Sequence, residues 1–199
     1  MKQIAIIDYK VGNIESLKIF FKDLGFKSIL TDQIKKIEES DIVILPGIGA
    51  FPLAIKHMKQ KGLIKSIKKI SKLGTPIIGI CLGMQLLATK SYEFEETNGL
   101  NLIPGEIHPI LNEKYQIGWN HLVTKKIDIK MWYSPQDTYY FNHSYYFKGS
   151  NKFIYATADK SGELPAIIRN KNIFGIQFHP EKSQESGKNL MINLLNSFI

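Results

Sequence analysis

Apolar residues follow two alternating patterns through the first ninety positions of the chain. Short unbroken apolar runs are typical of strands that are buried on both faces. Such runs occur at 4–7, 42–45 and 76–80, with a weaker one at 28–30. Between these runs apolar residues recur every three or four positions, as in amphipathic helices. The predicted helices cover about 14–24, 34–38, 52–61 and 63–72. This alternation predicts an α/β fold with a parallel sheet covered on both sides.

From Glu93 onwards the pattern changes to short apolar segments bounded by turn residues, which predicts mostly antiparallel strands and hairpins. These segments are 105–107, 118–123, 139–147, 153–157, 166–169 and 173–178, with a hairpin turn at 170–172. A final helix is predicted from Gln184 to about Phe198. No repeat, low-complexity tract or linker interrupts the pattern. We therefore predict a single domain over residues 1–199, with a change of layer near residue 93.

Composition favours a globular protein of the reducing cytosol. Hydrophobic residues make up 44% and charged residues 22% of the 199 positions, which is ordinary for such a chain. One cysteine allows no internal disulfide. The apolar run after Met1 is short and meets Asp8 early, unlike a signal peptide, and no run has membrane-spanning length. We expect a cytoplasmic location and no membrane association.

The formal charge of +8 is compatible with nucleic-acid binding, but the kind of charge argues against it. Of 26 basic residues only Arg169 is an arginine, the residue favoured for bidentate contacts to bases and phosphates. The lysines are scattered, and those of the helix at 63–72 fall at the spacing of a solvated face. We expect no nucleic-acid partner.

Cys81 stands where the predicted strand at 76–80 gives way to helix-forming residues from Leu82 onwards. Gly79 and Gly83 flank it at two residues on either side, the pattern of a nucleophile elbow with sulfur in place of oxygen. A lone cysteine in an apolar segment is also often a plain core residue. The carboxyl ends of parallel strands gather at one edge of the sheet. Asp8, Gly47 and Cys81 all fall at such ends, so we expect them near one another.

His179-Pro180-Glu181 directly follows the segment at 173–178. A nucleophilic thiol needs a base, and the base needs a group that holds its tautomer. Histidine followed by glutamate on a loop stiffened by proline meets this requirement. The alternative is that His179 marks an exposed strand end and Glu181 is a surface carboxylate.

Taken together, the motifs resemble those of the class I, or triad-type, glutamine amidotransferases, and within them the glutaminase subunits of imidazole glycerol phosphate synthase. The matching segments are 8–9 with 12–13, 45–51, 79–87, 99–100, 118–120, 143–145 and 175–183. They occur in the family's order along nearly the whole chain. The resemblance implies a flavodoxin-like, three-layer α/β fold whose parallel central sheet gains antiparallel strands in the C-terminal half.

The resemblance also implies roles for individual residues. Cys81 would attack the side-chain amide of glutamine, His179 would shuttle the proton, and Glu181 would orient His179. The implied oxyanion hole comprises Leu82 together with Gly47, Ile48 and Gly49. These last three form a loop that, in the family, can need to rearrange before the hole forms. The implied glutamine pocket comprises Gln85, Glu93, Ser144 and Tyr145. The family's chemistry requires no metal and no cofactor.

In the family the ammonia passes to a cyclase subunit, a TIM barrel, in a heterodimer. That subunit makes imidazole glycerol phosphate and aminoimidazole carboxamide ribotide. The implied docking residues are Asn13, Trp119, Tyr140 and Lys182. The chain departs from the family at Lys10, often a glycine, and at Tyr115-Gln116, often Pro-His.

Three other functions are compatible with the sequence. The first is a paralogous glutaminase that supplies ammonia for amidation of nonulosonate or lipopolysaccharide sugars. The second is a cysteine peptidase or chaperone of related topology, which the His-Pro-Glu motif does not favour. The third is an inactive regulatory or scaffold subunit, which an intact Cys81, His179 and Glu181 argue against.

Overall fold

The computed structural model describes residues 2–10, 14–111, 115–126, 132–159 and 164–198. Within these ranges the strands are β1 (Gln3–Ile7), β2 (Lys27–Thr31), β3 (Ile42–Leu45), β4 (Ile77–Ile80), β5 (Lys90–Ser91), β6 (Thr97–Asn98), β7 (Gly105–Pro109), β8 (Gln116–Thr124), β9 (Thr138–His143), β10 (Tyr145–Gly149), β11 (Ile154–Ala158), β12 (Pro165–Asn170) and β13 (Ile173–Ile176). The helices are α1 (Ile14–Asp23), α2 (Ile34–Glu38), α3 (Phe51–Gln60), α4 (Leu63–Lys72), α5 (Leu82–Leu86) and α6 (Gln184–Asn196). Single turns of 3-10 helix occur at Asn151–Phe153 and Pro180–Lys182.

Nine strands form one sheet in the order β2-β1-β3-β4-β13-β12-β11-β8-β9. The first five run parallel, and each later neighbour pairs antiparallel. This confirms the predicted α/β fold with a parallel centre and antiparallel additions. Gly79 of β4 pairs with Leu45 of β3 on one side and Gly175 of β13 on the other. The carboxyl ends of these three strands are therefore level at one edge.

Helices cover the sheet on both faces and divide the core in two. In β1, Ala5 and Ile7 pack in one cluster with residues of α3 and α4, while Ile4 and Ile6 pack in the other with residues of α1 and α6. Successive side chains of a strand point to opposite faces, so a continuous apolar run fills both clusters. The three predicted layers follow from this pattern.

A smaller four-stranded sheet, in the order β10-β7-β5-β6, lies on the α3 side of the core. Its two-residue strands β5 and β6 were not predicted, because two residues carry no detectable alternation. The segment predicted at 139–147 is two strands: β9 pairs with β8 and β10 pairs with β7, so the chain changes sheet at Ser144. The prediction of one segment there was wrong.

The hairpin predicted at 170–172 is confirmed. Asn170 of β12 pairs with Ile173 of β13, and Lys171 adopts the left-handed φ of 54° that such a turn needs. The side chain of Asn172 donates to the carbonyls of Ser71 and Thr75, fastening the turn to the end of α4. Among the described helices none has the length and hydropathy that crossing a membrane requires.

Candidate active site

Cys81 occupies the turn between β4 and α5 with φ 53° and ψ −110°. Residues other than glycine rarely adopt this conformation, which costs on the order of 1–3 kcal/mol. The turn needs its glycines, because a Cβ at Gly83 would lie 1.8 Å from the carbonyl oxygen of Leu45 and one at Gly79 would lie 2.3 Å from that of Gly83. The sharp turn that the Gly-x-Cys-x-Gly pattern predicts is therefore present.

His179 and Glu181 lie on the loop after β13, level with this turn. Nδ1 of His179 is 2.8 Å from Oε1 of Glu181, and both side chains are almost wholly buried. His179 is extended, with φ −99° and ψ 98°, as expected of a residue before proline. Its backbone N–H donates to the Tyr140 carbonyl at 2.9 Å, and its carbonyl accepts from the Ser183 hydroxyl at 2.6 Å. One contact thus orients the imidazole, and two others hold the backbone that carries it.

The sulfur of Cys81 faces His179, and 6% of the cysteine is exposed. Burial by itself lowers the pKa of His179, but hydrogen bonds and charge interactions with Cys81 and Glu181 outweigh it and raise that pKa to about 10. The imidazole thus readily holds a proton taken from the thiol. The structure brings together the three residues predicted as a triad.

A cavity of about 180 Å³ opens beside the sulfur. Its lining residues are Ile48, Gly49, Cys81, Leu82, Gln85, Glu93, Asn142, His143, Ser144, Tyr145 and His179. All four residues predicted for the glutamine pocket are among them, and so are three of the four predicted for the oxyanion hole. The fourth, Gly47, does not line the cavity. It packs behind Leu82, whose Cβ would be 2.7 Å from a Cβ at Gly47.

Glu93 and Gln85 both supply polar groups to this cavity. Oε2 of Glu93 accepts the backbone N–H of Phe51, the first residue of α3, at 2.9 Å. Burial raises the pKa of Glu93 above its usual value, an effect that the Phe51 N–H partly offsets. Nε2 of Gln85 donates to the Tyr145 carbonyl at 3.1 Å and to Oε1 of Gln177 at 3.3 Å.

Three of the four predicted docking residues lie at the same edge of the sheet. Trp119 of β8 and Tyr140 of β9 pair across the strands with ring centroids 5.8 Å apart, and Trp119 is 40% exposed. Nζ of Lys182 lies 5.8 Å from the centre of the Tyr140 ring. Because the Tyr140 carbonyl accepts the His179 N–H, the cluster of Trp119, Tyr140 and Lys182 is in direct contact with the site. Asn13 lies outside the described residues.

Two residues at the site were given no role from the sequence. Nδ1 of His143 is 2.8 Å from the Tyr145 carbonyl, so Nδ1 carries the proton. Burial lowers the pKa of His143 to about 4, which keeps this second imidazole neutral. Gln177 contacts both Gln85 and the sulfur of Cys81. The sequence did hold a signal for Gln177. It precedes His179 by two residues, and side chains two residues apart in an extended chain point to the same side.

Comparison with known proteins agrees with the resemblance found in the sequence motifs. Residues 5–197 match the family model described as glutamine amidotransferase class-I. The chain is 45% identical to "Imidazole glycerol phosphate synthase subunit HisH" of Bacillus mycoides, covering 96% of this chain and 92% of that protein. The same subunit of Carboxydothermus hydrogenoformans is 41% identical, covering 96% and 97%.

Solved structures share the fold at lower sequence identity. A crystal structure of a glutamine amidotransferase superposes with a TM-score of 0.79 at 18% identity, covering 98% of both chains. A chain of PurLQS from Thermotoga maritima superposes with a TM-score of 0.79 at 20% identity, covering 100% of both. The fold is therefore that of the class I amidotransferases.

Proposed function

Because this chain belongs to the glutamine amidotransferase class-I family, we propose that it hydrolyses glutamine to glutamate and ammonia as the glutaminase subunit of an imidazole glycerol phosphate synthase. The ammonia is delivered to the cyclase subunit of that enzyme, which serves histidine biosynthesis. The observation that carries the proposal is the buried series of contacts from Cys81 through His179 to Glu181 at one end of a cavity.

The reaction begins when His179 takes the proton of the Cys81 thiol. Since Nδ1 of His179 faces Glu181, Nε2 is the atom that receives it. The thiolate attacks the side-chain carbonyl carbon of glutamine, and the carbonyl oxygen becomes an oxyanion. His179 then returns the proton to the amide nitrogen, the C–N bond breaks, and ammonia leaves a thioester behind. Water, deprotonated by His179, attacks the thioester, releasing glutamate and restoring the thiol.

The oxyanion is received by the backbone N–H of Leu82 and by a peptide N–H of the loop at Gly47-Ile48-Gly49. Gly49 has φ +136°, a conformation that suits glycine. A loop of this kind reorients at little steric cost, which suits a hole that is completed when the partner docks. Removing one oxyanion donor typically slows turnover by about 10²–10³-fold, so such a step would control the reaction effectively.

The pocket offers a partner to each charged group of glutamine. The Glu93 carboxylate accepts from the α-ammonium, and backbone N–H groups at Ser144 and Tyr145 receive the α-carboxylate. Gln85 completes the pocket beside the sulfur. The positive ammonium offsets the burial that raises the pKa of Glu93, so substrate binding and ionisation of Glu93 support each other.

The cyclase, a TIM barrel, docks on the face formed by Trp119, Tyr140 and Lys182; a docking role for Asn13 stays an expectation from the family resemblance alone. Aromatic side chains are favoured at the centres of interfaces. Here the Tyr140 backbone bonds directly to His179, and Trp119 lies opposite Tyr140 on the neighbouring strand. Docking at this place keeps ammonia from water, where it would take up a proton. The pair forms a heterodimer and works in the cytoplasm.

The test is Cys81→Ala in the complex with a cyclase subunit. We expect glutamine-dependent synthesis of imidazole glycerol phosphate to be lost, while synthesis from free ammonia at high pH continues, because only the nucleophile is removed. Loss of both activities would contradict the division of labour between the subunits. Ammonia release that is stimulated by a sugar-amidating synthase, and not by the cyclase, would instead support the paralogous glutaminase.

A further inference from the structure

Gln177 is a fully buried amide between the strand β13 and His179. Its neighbours Ile176 and Phe178 point into the apolar cluster that contains α1 and α6, so the alternation of side chains turns Gln177 and His179 to the other side. A buried amide without partners is costly, and its hydrogen bonds therefore indicate what it is held for. Here both the NH₂ group and the oxygen of the Gln177 amide contact residues of the site.

The orientation of this amide follows from a neighbouring carbonyl. The Tyr145 carbonyl can only accept, so the atom of Gln85 that lies 3.1 Å from it is the NH₂ group. That same NH₂ lies 3.3 Å from Gln177, so the Gln177 atom there is the oxygen. The group of Gln177 that lies 3.9 Å from the Cys81 sulfur is then its NH₂. The sulfur therefore faces a donor.

A further contact of the sulfur, besides those with His179 and Gln177, has the opposite preference. The Asn142 carbonyl oxygen, also 3.9 Å from Sγ, accepts a hydrogen bond from the thiol but has no hydrogen to donate to a thiolate. The Gln177 NH₂ donates to sulfur in either state, and more strongly when the sulfur is negative. Once the proton has moved to His179, Gln177 is the neutral donor that remains beside the anion.

We infer that Gln177 is a further catalytic residue, whose side-chain NH₂ stabilises the Cys81 thiolate while its oxygen holds Gln85 against the Tyr145 carbonyl. One amide thus joins the nucleophile to the substrate pocket. The inference rests on the proposed function in taking this sulfur as the nucleophile for glutamine. Gln177 would thus act together with His179 and Glu181 of the His-Pro-Glu motif that follows it.

The test measures thiolate formation directly, without glutamine. Cys81 is the only cysteine, so the rate of alkylation of the full chain by iodoacetamide across a pH series reports on it alone. In Gln177→Met, which keeps the length of the side chain but has no donor, we expect the midpoint of the alkylation profile to move up by about one pH unit, a tenfold change. We expect kcat for glutamine in the complex to fall about tenfold or more.

Gln116→Met is the matched control, since Gln116 is a buried amide without a hydrogen-bond partner among the described residues. We expect its alkylation midpoint to equal that of the wild type. Should Gln177→Met fail to fold, Gln177→Asn serves instead, because it keeps an amide but draws it back by one methylene from the sulfur. Its midpoint is expected to move in the same direction.

The outcomes separate this inference from the proposed function. An unchanged alkylation midpoint in a folded Gln177 variant would overturn the inference and leave the glutaminase proposal standing. A raised midpoint in a chain that releases no ammonia with any synthase would support stabilisation of the thiolate by Gln177, but it would refute the proposed function and with it the catalytic role. A midpoint raised equally in Gln116→Met would overturn the inference, since the change would then reflect loosened packing.

Discussion

Glu93 is a carboxyl group that the fold keeps from water at the start of α3. It is 7% exposed, and its one hydrogen bond within the described residues that involves the carboxylate comes from the Phe51 N–H. Burial raises its pKa, which means that the folded chain binds a proton there more tightly than the unfolded chain does. The ionised group therefore lowers the free energy of unfolding at neutral pH, and the loss disappears as pH falls below the usual glutamate value.

Glu93→Gln is expected to exchange substrate affinity for stability. Without the carboxylate the α-ammonium of glutamine loses its charged partner, so KM rises by about 10–10²-fold, with a smaller change in kcat. Removing a buried charge raises the Tm by about 2–4 °C at pH 8, and the gain shrinks towards pH 4 by the sign argument above. Steady-state kinetics and thermal unfolding at both pH values measure these effects.

Glu95→Gln is the control for Glu93→Gln, because Glu95 lies two residues away and is exposed. It should change neither KM nor the Tm appreciably. If the two variants behaved alike, Glu93 would have no special part in binding glutamine.

At the scale of the element, the elbow is where three backbones approach most closely. Gly83 of α5 lies against the end of β3, and Gly79 of β4 lies against Gly83, with no room for a Cβ at either position. α5 has only five residues, so its dipole is smaller than that of a full-length helix. The turn therefore acts mainly by placing the sulfur, with donors such as Gln177 stabilising its charge.

Gly83→Ala is expected to destabilise the chain by more than about 3 kcal/mol, because the new Cβ must displace the Leu45 carbonyl or separate α5 from β3. Gly25→Ala is the control: it has φ +80° but open space, so it should cost about 1 kcal/mol from backbone strain alone. Urea unfolding measures both. If Gly83→Ala cost no more than Gly25→Ala, close packing at the elbow would not be what the glycine is needed for.

At the scale of the whole molecule, the site and the Trp119–Tyr140 pair share one edge of the large sheet. Trp119 and Tyr140 are on neighbouring strands, and the Tyr140 backbone bonds both His179 and Ser183. A partner bound to this face would therefore contact Tyr140, whose backbone is hydrogen-bonded to His179. The single arginine, Arg169, stacks on Phe174, with its guanidinium carbon 4.6 Å from the ring centroid.

Trp119→Ala is expected to weaken binding of the cyclase subunit by about 30-fold or more, the loss typical of a central aromatic at an interface. The fold should be little affected, because Trp119 is 40% exposed and lies outside both core clusters. Leu73→Ala, 74% exposed at the end of α4, is the control: α4 leads into the start of β4, so Leu73 lies at the opposite edge. Calorimetric titration of both variants decides whether this face binds the cyclase, since equal affinities would exclude Trp119 from the interface.

The sequence by itself determined the alternating elements of the first half, the elbow around Cys81, and the pairing of His179 with Glu181 on one stiff loop. Each of these lies within a short window, where local periodicity and the steric limits of glycine and proline decide the outcome. Tertiary structure alone decided that β13 enters the sheet beside β4, which brings His179 to Cys81, and that the chain changes sheet at Ser144. It also decided which way the amide of Gln177 points. These features depend on pairing between strands about a hundred residues apart and on burial, and both arise only when the whole chain packs.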